Sequence, residues 1–153
     1  FYAEQLLLMS ANEYLGRMDE AALIDTLLKT ELRGLHDKPV WVDGSGLSRY
    51  NLCTPRSLVA LLDTLRNVWG LERIQRLLPT GGEGTLKNYF NNDSGYIFAK
   101  TGTLSNQWAL SGYLLTRQNR LLLFSVLINN APGRVAILRK ATERFLSAIR
   151  DQF

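Results

Sequence analysis

The sequence predicts an α+β fold, with helices packed on an antiparallel sheet and a last helix closing the chain. Three features carry that expectation. Apolar residues recur at helical spacing through the first half. Three strand-like runs then follow one another with only short polar turns between them, and the final stretch returns to helical spacing.

The elements follow in order. Phe1 to Leu15 reads as helix, with Leu6, Leu7, Met9, Tyr14 and Leu15 as its apolar weight, and Ala21 to Leu32 carries Leu23, Ile24, Leu27 and Leu28 at helical intervals. A short strand is expected at Val40 to Val42, just after Pro39 and leading into the turn Asp43-Gly44-Ser45-Gly46. Thr54-Pro55 opens a helix, Thr as its cap and Pro at the first helical position. Leu58, Leu61, Leu62, Leu65, Val68 and Trp69 share its apolar face, and Gly70 ends it. A shorter helix, Leu71 to Leu78, stops at Pro79, and the glycines that follow read as a flexible connector.

Tyr96 to Leu104, Trp108 to Thr116 and Leu121 to Asn129 are the three strand runs, with Gln118-Asn119 as a hairpin turn between the last two. Pro132-Gly133 breaks the third. The final helix spans Arg134 to Ile149, with Val135, Leu138, Phe145, Leu146 and Ile149 on its apolar face. No repeat or linker divides the chain, so one compact domain is expected.

At 153 residues and 46% hydrophobic, the chain can bury a sizeable core. Its net charge of +4 comes from 18 basic and 14 acidic residues. No more than two basic residues run together and none alternate with a stripe of aromatics, so no nucleic-acid partner is expected. The lone Cys53 rules out an internal disulfide and reads as a small, partly buried thiol. The lone His36, in the polar turn Gly34 to Pro39, rules out a histidine-rich metal site and reads as an exposed loop residue. No metal or organic cofactor is expected, and no apolar stretch approaches the ~20 residues of a membrane span. Phe1 already lies in helix with neither Met nor a signal segment before it, so the chain is expected to be a fragment or a processed product.

Two segments offer chemistry. Lys100-Thr101-Gly102-Thr103 lies in the first strand, where alternation puts Lys100 and Gly102 on one face, an ammonium beside bare backbone. A peptide could add to this strand, with Lys100 and the hydroxyls of Thr101 or Thr103 holding its carboxylate. Val42 to Asn51 is a tight glycine turn able to present a serine hydroxyl and an amide side by side. An ordinary solvated strand and an ordinary polar loop are the plainer readings of each segment alone. No Gly-x-x-x-x-Gly-Lys-Ser/Thr occurs, which excludes a phosphate loop.

Taken together, Asp43-Gly44-Ser45-Gly46-Leu47-Ser48-Arg49-Tyr50-Asn51, Gly82-Glu83-Gly84-Thr85-Leu86 and Lys100-Thr101-Gly102-Thr103 resemble the class C low-molecular-weight penicillin-binding proteins. These are D-Ala-D-Ala carboxypeptidases and endopeptidases, and the opening Phe1-Tyr2-Ala3-Glu4-Gln5-Leu6-Leu7 is also similar to a helix of that family. The resemblance covers nearly the whole chain. It implies the β-lactamase/transpeptidase-like fold and a serine acyl-transfer site built from Ser-x-x-Lys, Ser-x-Asn and Lys-Thr-Gly.

By that resemblance Ser48 is the serine of the second motif, relaying a proton to the leaving amine, and Asn51 is its amide. Lys100 supplies positive potential. Thr101, Gly102 and Thr103 bind substrate, the Thr103 N–H forming half of the oxyanion hole. The second motif, Ser48-Arg49-Tyr50-Asn51, is one residue longer than Ser-x-Asn, so either Asn51 or Tyr50 takes the amide position. No serine is followed three residues later by Lys, so the nucleophile is expected upstream of Phe1, residues 1–153 forming the C-terminal portion of the transpeptidase-like domain.

The implied partners are peptidoglycan stem peptides and β-lactam antibiotics, the place of action periplasmic or otherwise extracytoplasmic. A fragment lacking upstream strands is expected to expose apolar surface and to pair with the missing N-terminal half or with a second copy, as a homo-oligomer. Ser48 and Lys100 are expected to converge on one cleft. A non-catalytic peptidoglycan-binding domain and a β-lactamase-like hydrolase are the alternative readings.

Overall fold

The computed structural model describes residues 1–153. The chain forms two compact units, Phe1–Ser57 and Leu58–Phe153, rather than the single body expected. The division falls inside a helix, so no linker composition announces it.

In the first unit, α1 (Tyr2–Leu15) ends where Gly16 turns left-handed at φ 69 and returns its N–H to Asn12. The next helix, α2 (Glu20–Lys29), is capped by Asp19, whose carboxylate accepts the Ala22 N–H at 2.9 Å. Leu23 and Ile24 of α2 are buried, whereas α1 buries only Ala11. Tyr2, Leu6, Met9 and Tyr14 lie largely in solvent, so α1 presents an uncovered apolar surface.

The strand expected at Val40 to Val42 shrinks to a single bridge between Val40 and Leu52. The reason is local. The Asn51 side-chain oxygen takes the Val42 N–H at 2.8 Å, which would otherwise serve the next rung of a ladder. Cys53, expected to be partly buried, is exposed; His36 is exposed as expected.

The helix α3 (Pro55–Trp69) starts as its sequence dictates, with the Thr54 hydroxyl accepting the Ser57 N–H at 3.1 Å. Thr54 also donates to Asp37, which the Arg56 guanidinium grips through two bonds of 3.0 and 2.5 Å. Those bonds, Arg56's first and then Thr54's, hold the Asp37 carboxyl at about 2. At the other end of α3, Val68 and Trp69 are exposed, so the expected apolar stripe is covered only along its earlier turns.

The second unit is built on an antiparallel sheet of β1 (Ile97–Leu104), β2 (Gln107–Leu115) and β3 (Leu121–Ile128), in that spatial order. Alternation gives the sheet two faces. On one, Ile97 and Ala99 of β1 stand opposite Leu114 and Gly112 of β2, which in turn oppose Leu122 and Phe124 of β3. This face is covered by α5 (Val135–Gln152), through Leu146, and by Leu86 and Phe90 from the segment before β1. On the other face Tyr113 is fully buried, its hydroxyl donating to the Leu62 carbonyl of α3 at 2.6 Å. In α5 the apolar face omits Phe145, which is exposed; Thr142 and Arg150 lie inward instead.

The glycine-rich stretch expected as a flexible connector is a folded turn that follows α4 (Leu71–Leu77). The Gly82 N–H bonds to the carbonyls of both Leu86 and Tyr89, and Leu86 is 1% exposed. A side chain at Gly81 would sit 1.9 Å from the Phe90 carbonyl oxygen, so glycine is required there by close packing.

Candidate functional site

The edge of β1 sets the geometry of the second unit's site. On the outer side of this strand the Ala99 N–H donates to the Pro79 carbonyl at 3.1 Å, while the carbonyl of Tyr96, just before the strand, receives the Leu115 N–H from the β2 side at 2.7 Å. In an antiparallel ladder a residue's N–H and C=O point to the same side and the side alternates along the strand. Thr101 and Thr103 therefore direct their amides and carbonyls outward, like Ala99. Beyond Ala99 no backbone group of the chain pairs with that edge.

The side chains divide across the strand. Thr101 and Thr103 oppose Leu110 and Trp108 on the face covered by α5. Lys100 and Gly102 share the other face, as the sequence predicts. Lys100 is exposed, and its ammonium donates to the Thr101 carbonyl at 2.5 Å, so it caps the free edge from across the strand. Gly102 leaves that face bare, its nearest neighbour being the Ala109 methyl, 3.4 Å from where a side chain would begin.

Thr101 and Thr103 line a cleft of about 280 Å³ with Thr85, Tyr89, Trp108 and Arg139. Arg139 reaches it from α5, its Nη2 donating to the Thr103 hydroxyl at 2.8 Å. The sequence reading missed Arg139. Its signal was available in helix phase, because it falls next to Leu138 on the inward side of α5, where a charged residue is out of place. A larger hollow of about 840 Å³, lined in part by Asn92, Arg117, Arg144 and Asp151, has much of its charge already matched by the Arg117–Asp151 and Arg150–Asp93 ion pairs.

In the first unit, the loop from Val42 to Asn51 is welded by two side chains. Asp43 accepts the Ser45 N–H at 2.9 Å and the Ser45 hydroxyl at 2.7 Å. Asn51 donates to the Asp43 carbonyl and carboxylate at 3.2 and 3.1 Å and accepts the N–H groups of Val42 and Asp43. Glu20 fastens the Gly44 N–H at 2.7 Å, and α1 passes so close that a side chain at Gly44 would meet Leu7 at 2.7 Å. Ser48 accepts the Tyr50 N–H at 3.2 Å and bonds to the Asp43 carboxylate.

The side chain of Asn51 is thus engaged inside the loop, while Tyr50 is exposed. Between the two residues left open for that position, the structure gives Asn51 a structural duty.

Hydrogen bonds from Ser45 first, and also from Asn51 and Ser48, hold the Asp43 carboxyl below its usual 3.8. The folded value lies below the unfolded one. The contribution of the Asp43 carboxylate to the loop is therefore fully present above about 3.8 and is lost as pH falls through the lower folded value. The Trp41 indole N–H donates to the Asp43 carbonyl at 2.8 Å and reports on this directly. Its NMR resonance is expected to shift on acidification below pH 3.8; in Asp43→Asn that acid transition is expected to vanish.

Residues 2–148 match the model of the D-Ala-D-Ala carboxypeptidase 3 (S13) family. The chain is 38% identical over 107 residues to carboxypeptidase DacB of Mycolicibacterium smegmatis, covering 63% of this chain and 23% of that protein. It is also 38% identical over 99 residues to the D-alanyl-D-alanine carboxypeptidase of Actinomadura sp. strain R39, covering 60% of this chain and 18% of that protein. Among solved structures, penicillin-binding protein 4 of Haemophilus influenzae, complexed with a β-lactam, superposes with a TM-score of 0.83 at 22% identity. That match covers 97% of this chain and 38% of the other, and it shows the fold. The chain spans about a fifth of the length of the curated relatives it matches.

Proposed function

Because this chain belongs to the D-Ala-D-Ala carboxypeptidase 3 (S13) family, we propose that it forms the substrate-holding portion of a serine peptidase acting on the D-Ala-D-Ala ends of peptidoglycan stem peptides. The outer edge of β1 beyond Ala99, free of backbone partners, is the observation that carries the reading. A peptide laid along it as an added strand meets the outward amides and carbonyls of Thr101 and Thr103.

In acyl transfer a serine oxygen attacks the carbonyl of the penultimate residue, and that carbonyl oxygen takes up negative charge. The Thr103 N–H would receive it, and losing one such donor typically costs ~10²–10³ in rate. Gly102 keeps the approach clear. Lys100 adds positive potential and, through its bond to the Thr101 carbonyl, holds the edge in shape. No serine here is followed three residues on by Lys, so we assign the nucleophile and its lysine to residues outside these 153. Ser48 and Asn51 act in this reading as positioning residues: their polar atoms shape the loop, and a relay serine would have to release Asp43 before handling a proton.

The uncovered face of α1 and the apolar run of β3 support association with further parts of the same protein. All eight residues of β3 are only half-buried, although a run such as Leu121–Ile128 is typical of a strand covered on both faces. A second copy is the alternative occupant. Membership of a D-Ala-D-Ala carboxypeptidase family supports action outside the cytoplasmic membrane, in the periplasm or another extracytoplasmic space. No helix of the chain is long and apolar enough to cross a membrane.

The test is covalent labelling with a fluorescent penicillin. The full-length protein containing this chain is expected to form a long-lived adduct, and residues 1–153 alone none. Peptide binding by the full-length protein without an adduct would favour the non-catalytic reading, and rapid penicillin turnover the β-lactamase-like one.

A further inference from the structure

We propose that Arg139 is the cation that recognises the free carboxylate at the end of the substrate, and that it makes the β1 cleft selective for peptides ending in that group. The proposal rests on the acyl-transfer reading and assigns its carboxylate specificity to a residue outside the Lys-Thr-Gly-Thr segment.

Arg139 has hydrogen-bonding capacity and a charge that the rest of the chain does not match. One amino group donates to Thr103 Oγ1 at 2.8 Å. Its Nε is shielded from solvent and has no hydrogen-bond partner. No carboxylate of the chain forms an ion pair with it, and Glu143, one turn further along α5, is engaged by the Phe90 N–H at 2.5 Å. The guanidinium lies 5.9 Å from the ring centroids of both Tyr89 and Trp108, within reach of a cation–π attraction to each. A planar guanidinium with donors left over matches a carboxylate's two oxygens, and such charge-assisted pairs are the strong ones.

Position singles it out further. Arg139 lines the same cleft as the hydroxyls of Thr101 and Thr103, beside the outward-facing strand edge. Lys100 points from the opposite face of β1 and is tied to the Thr101 carbonyl, so its ammonium is not a member of this cleft. A peptide chain ending beside Thr103 would bring its terminal carboxylate to the guanidinium, whereas a terminal carboxamide would bring no charge.

The experiment compares a diacetyl-lysyl-D-Ala-D-Ala peptide with its C-terminal carboxamide on the full-length protein. In Arg139→Met, which keeps most of the aliphatic stem, kcat/KM for the free acid is expected to fall ~30–100-fold, mainly through KM. The carboxamide should change less than about threefold, and Arg139→Lys should lie between. Equal losses on both peptides, or no loss on either, would overturn the proposal.

Quenching of Trp108 fluorescence by the same two peptides supplies a readout without turnover. Wild type is expected to bind the acid more tightly than the amide, and Arg139→Met to lose that preference. A wild type that forms no penicillin adduct yet shows this preference would sink the acyl-transfer reading and leave the receptor standing. An adduct without the preference would do the reverse.

Discussion

Asp93→Ala is expected to destabilise the fold by about 3–5 kcal/mol, the usual cost of removing one partner from a buried ion pair. Asp93 and Arg150 are among the few charged residues inside the chain, with side chains 4% and 8% exposed, and they bond directly. Asp93 also accepts from the Ser147 hydroxyl at 2.5 Å, and Arg150 reaches the Asn92 carbonyl at 3.1 Å. Together they fasten α5 to the segment just before β1. With the carboxylate gone, the Arg150 guanidinium stays trapped against the Tyr96 ring, 4.1 Å from its centroid, with its countercharge missing. Denaturant unfolding measures the loss through a lowered midpoint. Removing both charges, as Asp93→Leu with Arg150→Met, is expected to recover most of it. A double variant no better than the single one would show that the hydrogen bonds, rather than the stranded charge, set the cost.

Gly112→Ala is expected to cost about 3 kcal/mol, at the upper end of overpacking penalties. Gly112 opposes Ala99 in the β1–β2 ladder, and an added methyl would begin 2.1 Å from the Phe98 carbonyl oxygen and 2.6 Å from the Ala99 Cα. Those are backbone atoms of the neighbouring strand and cannot swing aside, so the strands would have to part. Gly102→Ala is the control, because its methyl would meet only Ala109 at 3.4 Å. Its stability should change by less than about 1 kcal/mol. Matching unfolding midpoints for the two variants would refute the packing account.

These two glycines show where sequence reading stops. Both sit in strand runs, and nothing in the local pattern separates one that spaces a sheet from one that leaves a surface open. The elements themselves were legible, because apolar periodicity, Thr54-Pro55 and Gly70 act within a few residues of where they stand. The Lys-Thr-Gly-Thr segment was legible as a strand with an ammonium beside bare backbone. The faces of α1, of α5 and of the last turns of α3 were less so. Tyr2, Leu6, Val68 and Phe145 are apolar yet exposed, and periodicity cannot say which apolar faces of an element find cover.

For the candidate site the division is sharper. The duties of Asn51, of Ser48 and of the turn at Gly81 follow from partners several residues away whose geometry no motif encodes. Arg139 meets Thr103 only because α5 folds back over the sheet. What the sequence alone determined is the order of helices and strands, the family, and which residues carry reactive groups, since those depend on side-chain chemistry and short-range backbone preference. Tertiary structure decided which groups are already spent and which stay available. A hydrogen bond uses up a donor or acceptor only when distant parts of the chain are brought within about 3 Å of each other.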